Sequence, residues 1–127
     1  MNTLIDIFNT DDISLEKLTK YADMLKRGEL VVFPTETVYG LGANCMDAAA
    51  VEKIFKVKNR PANNPLIAHI CDISMLDMVA REVDDGLLPL FNAFWPGALT
   101  VVLPKKKRKQ GVACLVSLFF ISLKHRF

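Results

Sequence analysis

Apolar residues recur along this chain with two different periods, and those periods divide it into helices and strands. Leu15, Leu18, Ala22 and Leu25 fall three or four positions apart, the spacing of one helical face. Asp12 or Ser14 is available to cap the start of that helix and Gly28 to end it. Residues 30–33, Leu-Val-Val-Phe, are closed by Pro34. A run apolar on both faces predicts a strand covered on both sides. A loop containing Gly40 and Gly42 follows, and then a helix capped by Asp47 and running to about Val57, with Val51, Ile54 and Phe55 as its buried stripe. Residues 66–70 read as a second strand. Met75, Leu76, Met78 and Val79 read as the apolar face of a helix that starts near Asp72 or Ser74, and residues 84–94 as one more helix. Trp95-Pro96-Gly97 is a turn signal, and residues 98–103 form a strand stopped by Pro104. No segment repeats. Strands alternating with helices predict an α/β sheet with helices against it, and the pattern does not separate parallel from mixed strand orders.

Composition narrows this picture without changing it. At 127 residues the chain fits one small domain with a single core. Its 51% apolar and 24% charged residues are those of a folding sequence. The net charge of +2 hides one basic run, Lys105, Lys106, Lys107, Arg108 and Lys109, without which the rest is mildly acidic. The body is therefore not a general nucleic-acid binder. Cys45, Cys71 and Cys114 are odd in number and widely spaced, which suggests neither a disulfide framework nor a zinc site and reads as buried, reduced thiols. Asp6, Asp11 and Asp12 stand where a signal peptide needs basic and apolar residues, and no run approaches the roughly 20 apolar residues of a membrane span. A cytoplasmic protein with no membrane partner is expected. The apolar stretch 112–123 has the length of a core segment, and its place behind the basic run leaves weak membrane-surface association open.

Two clusters carry candidate chemistry. Residues 34–42, Pro-Thr-Glu-Thr-Val-Tyr-Gly-Leu-Gly, put hydroxyls, a carboxylate and two glycines directly after a buried strand, where α/β sheets place ligand loops. They lack both the Gly-Lys-Ser/Thr of a Walker loop and the three-glycine Rossmann spacing. A small polar ligand suits them; equally, Thr35 and Thr37 would make turn hydrogen bonds while the glycines supply positive φ. The second cluster is Lys56, Lys58, Arg60, Asn63 and Asn64, stiffened by Pro61 and Pro65. A guanidinium fork and an ammonium two positions apart suit phosphate oxygens, and Asn64 offers uncharged donors. Cations at a helix C-terminus also satisfy the helix dipole, so a structural role stands beside the nucleotide one. His69, inside an apolar run, reads by itself more as a hydrogen-bonded core residue than a catalyst. Trp95 reads as a packed turn residue.

Together, residues 34–42, Lys58-x-Arg60-Pro61, Asn64-Pro65-Leu66, His69 and Trp95-Pro96-Gly-x-Leu99-Thr100 closely resemble the YrdC-like threonylcarbamoyl-AMP synthases in order and spacing, over residues 15–104. The resemblance implies a twisted mixed sheet with flanking helices. It also implies synthesis of threonylcarbamoyl-AMP from L-threonine, bicarbonate and ATP, with pyrophosphate released, for threonylcarbamoyladenosine in tRNA. Thr37 and His69 would then lie against threonine, with Thr35 and Tyr39 shaping that pocket, while Lys58, Arg60 and Asn64 would hold the triphosphate. Mg²⁺ would arrive with ATP, no dedicated metal cage being visible. TRNA-modifying transferases would be the downstream partners.

After Pro104 the pattern departs. The Thr-x-x-x-Arg and Ser-x-Asn segments that complete the nucleotide pocket in the family are missing, so the sheet is expected to be incomplete at its C-terminal side, with a YrdC-like part at 1–104 and an atypical tail at 105–127. A lysine run of the kind slippage-prone, adenine-rich DNA encodes suggests a shifted reading frame or a premature end; a divergent final strand packing on the sheet is the alternative. An inactive fragment with residual nucleotide binding, or weak nonspecific RNA binding through the basic tail, is the competing functional reading.

Overall fold

The structure, a computed structural model, describes residues 3–9, 11, 13–35, 37–59, 61 and 66–106, together with the backbone of 115–118. Helix α1, Leu15–Lys26, begins where Ser14 Oγ accepts the Lys17 amide at 3.3 Å, and it ends before Gly28, whose φ of 76° is the left-handed conformation that glycine adopts without a Cβ penalty. Its apolar stripe is not covered. No α1 residue is buried, and Leu15 is 86% exposed, because the arm 3–9 and strand β1, Val31–Pro34, cover only part of the helix.

Strand β1 pairs antiparallel with β2, Tyr39–Gly42, as a hairpin with Phe33 opposite Gly40 and Pro34 opposite Tyr39. Two expectations fail here. Val32 is 62% exposed, so β1 is not covered on both sides, and Gly40 and Gly42 lie within a strand at negative φ instead of in a loop. The physical reason for these glycines is steric. A Cβ on Gly42 would stand 2.6 Å from Phe33 Cε1, and one on Gly40 would stand 3.1 Å from Phe33 Cζ. The phenyl ring occupies the space that side chains there would need.

Helix α2, Ala48–Lys58, is capped as expected: Asp47 Oδ1 accepts the amides of Ala49 at 2.9 Å and Ala50 at 3.3 Å. Ala50, Val51, Ile54 and Phe55 form its buried face, and Asn59 closes it in the left-handed region at φ 47°. Lys53 reaches back to donate to the Gly28 carbonyl at 2.6 Å, tying α2 to the end of α1.

The second sheet is mixed, with order β3-β5-β4: β3 is Ile67–Ile70, β4 is Thr100–Val102, and β5 is Leu115–Leu118. β5 runs parallel to β3 and antiparallel to β4. Part of the atypical tail is thus the central strand of this sheet. Along β3, Ala68 and Ile70 are buried while Ile67 and His69 are exposed, the period-two alternation of a sheet covered on one face. The covered face meets a core of Ile70, Leu76, Ala80, Phe91, Trp95 and Leu103. Ile70 ends β3 and Leu103 follows β4; the rest lie in or just after two helical segments, a 3₁₀ turn at Ile73–Met75 running into α3, Leu76–Val79, and a 3₁₀ turn at Asp85–Leu87 running into α4, Leu88–Phe94. Trp95 stacks on Phe91 at 4.3 Å between ring centroids and donates its indole N–H to the Leu99 carbonyl at 2.8 Å, a packed turn residue as read. The fold is mixed α/β, and among the described residues no helix is long and apolar enough to cross a membrane. Cys45 is half-buried and Cys71 exposed, against the expectation of buried thiols, because Cys71 directly follows β3 on the strand's outward side; Cys114 lies outside the described residues.

Candidate functional site

The turn joining β1 to β2 is built by Thr35. Its amide donates to the Val38 carbonyl at 3.2 Å, its hydroxyl donates to the same carbonyl, and the hydroxyl oxygen accepts the amides of Thr37 at 3.3 Å and Val38 at 3.2 Å. One side chain thereby satisfies the polar groups of a four-residue turn, the local behaviour that suits threonine to such places. Its hydroxyl is committed to the backbone, so what Thr35 offers outward is its methyl. Thr37 and Tyr39 project from the turn and from the start of β2, exposed, with Tyr39 at 77%. Of the two readings open for this segment, turn hydrogen bonding describes Thr35 and exposed polar presentation describes Thr37 and Tyr39.

His69 stands on the outward face of β3, which excludes the core-histidine reading: with the core on the Ala68 and Ile70 side, period two puts position 69 opposite it. Among the described residues no strand ladder joins the hairpin to the second sheet. Phe33 meets His69 across that gap, with ring centroids 5.9 Å apart and planes at 87°, edge to face. On its other side Phe33 lies over Gly40, where Thr35 Cγ2 would be 3.5 Å from an added Cβ. Thr35, Phe33 and His69 therefore form a continuous row from the turn to β3. Across the open face, β-sheet register aligns His69 with Ser117 and Ser117 with Thr100.

Lys58 is the last residue of α2 and is exposed; Lys56, in the same turn, pairs with Glu52 at 3.0 Å. Arg60 and Asn64 lie outside the described residues, as do Glu36 and Asn63. Among the described residues, Phe33 thus links the strand leading into the Thr35 turn to His69, while Lys58 stands exposed at the end of α2. Phe33 is the residue that reading the sequence missed. Its signal was present: two glycines at alternate positions of one strand, opposite a phenylalanine, mark a place where a ring lies flat on the neighbouring backbone.

Residues 23–118 match the Sua5/YciO/YrdC family model, described as telomere recombination. Among curated proteins the chain is 50% identical over 91 residues to the threonylcarbamoyl-AMP synthase of Pyrococcus abyssi, covering 72% of this chain and 27% of that one. It is 48% identical over 99 residues to the threonylcarbamoyl-AMP synthase of Bacillus subtilis, covering 76% and 29%. Among solved structures it is similar to P. abyssi Sua5 complexed with L-threonine, with a TM-score of 0.80 and 42% identity, over 87% of this chain and 34% of that one. The chain spans about a third or less of the length of each of these three proteins.

Proposed function

This chain belongs to the Sua5/YciO/YrdC family, and from that premise we propose that it carries the threonine-holding part of a threonylcarbamoyl-AMP synthase. The observation that carries the reading is the contact between Phe33, on the strand that leads into the Thr35 turn, and His69 on the second sheet, in a fold shared with a relative that has been crystallised with L-threonine. A zwitterionic amino acid needs hydrogen-bonding groups around its ammonium, carboxylate and hydroxyl, and an apolar wall for its methyl. Thr37, Tyr39 and His69 offer the first, while Phe33 and the Thr35 methyl offer the second.

The chemistry this site would support joins two anions. The threonine amine adds to the carbon of bicarbonate and water leaves, giving an N-carboxylate. An oxygen of that carbamate then attacks the α-phosphorus of ATP, and pyrophosphate departs with the electron pair of the broken P–O bond. Little in these steps requires a covalent protein intermediate; the demands are alignment and charge neutralisation. Lys58, the last residue of α2, together with Arg60 and Asn64, would supply the cations and the uncharged donors for the triphosphate. Mg²⁺ would arrive with ATP, whose phosphate oxygens together with water would supply most of its ligands. The product is the activated donor for threonylcarbamoyladenosine in tRNA, handed to a transferase partner.

The test is pyrophosphate release from ATP by the 127-residue chain, with threonine and bicarbonate each present or omitted. Release that needs both supports the synthase reading. Release indifferent to threonine rejects it. Binding of RNA that collapses as salt rises, with no pyrophosphate formed, would favour the reading of an inactive fragment whose basic 105–109 run attracts phosphates.

A further inference from the structure

We propose that Phe33 is a positioning residue for His69, and that Gly40 and Gly42 serve to seat its ring. The inference rests on the threonine-site reading above and adds to it an aromatic contact that helps to orient the histidine. Among the described residues the hairpin and the β3-β5-β4 sheet share no ladder hydrogen bonds, so the described backbone pairing does not fix the distance between the Thr35 turn and His69. A site divided between two sheets needs a side-chain contact to hold its halves in register, because a misplacement of about 1 Å is costly in a binding or reacting geometry. Phe33 makes such a contact, edge to face with the imidazole at 5.9 Å.

The other side of the ring explains the glycines. Phe33 is only half-buried, and a ring in that situation would ordinarily sample several rotamers. Here it rests on backbone at Gly40 and Gly42, close enough that a methyl at position 42 would approach Cε1 to 2.6 Å and one at position 40 would approach Cζ to 3.1 Å. Real Cβ atoms do not approach so closely, so a side chain at position 42 would push the ring out of its seat. Thr35 follows two positions after Phe33, and both side chains reach the space over Gly40. The ring therefore transmits the position of the turn directly to His69.

Three variants test this, read by L-threonine titration calorimetry and by the His69 ring-proton resonances. Phe33→Leu keeps an apolar side chain but loses the edge-to-face contact; Gly42→Ala keeps the phenylalanine but unseats it; Phe33→Tyr keeps the ring. The expected result is threonine affinity weakened roughly three- to tenfold in Phe33→Leu and Gly42→Ala and near the parent value in Phe33→Tyr. The His69 resonances should shift in the first two as the ring current is removed or displaced. Parent-like affinity in Phe33→Leu, or equal losses in Phe33→Leu and Phe33→Tyr, overturns the positioning role while leaving the threonine site standing. A parent chain that binds no threonine overturns the threonine-site reading. The positioning role is then judged by the resonances alone, since unmoved His69 protons in both Phe33→Leu and Gly42→Ala overturn it whether or not threonine binds.

Discussion

Lys58 ends helix α2 with its ammonium in solvent, while its neighbour Lys56 is held by Glu52. If it meets a triphosphate, Lys58→Ala should weaken ATP binding roughly ten- to a hundredfold, the range of one charge-assisted contact, and slow pyrophosphate release while leaving the thermal transition where it was. Equal ATP affinity in parent and variant, measured by calorimetry, would leave the lysine with only its favourable place at a helix C-terminus. A second residue-level expectation concerns the N-terminal arm. The Tyr21 hydroxyl donates to the Asp6 carboxylate, and Lys20 pairs with the same oxygen at 3.1 Å. The hydrogen bond from Tyr21, then that from Lys20, hold Asp6 below its ordinary carboxylate range, and the bond to Asp6 pushes Tyr21 from 10.0 up to about 12. The signs differ. The Tyr21 contribution is complete below pH 10 and is lost as pH rises through about 12, whereas the Asp6 contribution is present above the ordinary carboxylate pKa and lost as pH falls through its lowered value. Carbon-13 spectra of labelled tyrosine should show Tyr21 ionising late, and Asp6→Asn should return it towards 10.0.

At the scale of elements, the junction of α1 with α2 gathers several local devices. Gly28 sits at positive φ, and a Cβ there would meet Asp47 Oδ2 at 2.8 Å, in the carboxylate that caps α2. Gly28→Ala should therefore cost about 1–2 kcal/mol from backbone strain alone, plus whatever part of the cap it displaces. Asp47→Ala should cost about 1 kcal/mol by loss of the cap. Urea unfolding of the two single variants and the double variant checks this, and the double should fall short of the sum because both act on one cap. These caps were legible in the sequence, since a cap is decided by a few adjacent residues. The same local logic supplied the ends of α1 and α2, and it read β3 and β4 to within a few residues. It did not supply burial. The stripe of Leu15 and Leu18 has the spacing of a core face yet lies exposed, and the β1 run is apolar on both sides yet open at Val32. Whether a face is covered depends on chain far away, which periodicity does not report. The candidate site divides in the same way: Thr35, Thr37, Tyr39 and His69 were visible as residue types in an ordered pattern, whereas Phe33 joins them only through a contact between residues 36 positions apart in sequence.

For the whole molecule, the consequence is a sheet with one side packed and the other met by Phe33 at His69 but open at Ile67 and Val102, which are 46% and 73% exposed. Among the described residues β3 and β4 are both edge strands of that sheet. Apolar area next to unpaired strand edges favours association between copies. Sedimentation velocity should show self-association that grows with concentration, and Val102→Lys should reduce it without lowering the unfolding free energy by more than roughly 0.5 kcal/mol, because that side chain is largely exposed. On the packed side the balance is reversed: Phe91→Ala should cost about 3–5 kcal/mol, since Phe91 is 1% exposed at the centre of the core. The stacked Trp95 adds a practical property to that core. It is the single tryptophan of the chain, and it lies across the sheet from His69. Its emission is therefore a built-in optical gauge of the core's integrity, excited apart from Tyr39 of the site and Tyr21 of α1. A variant that loses its ligand while this fluorescence stays blue-shifted has lost recognition, and one whose spectrum moves red has lost its fold.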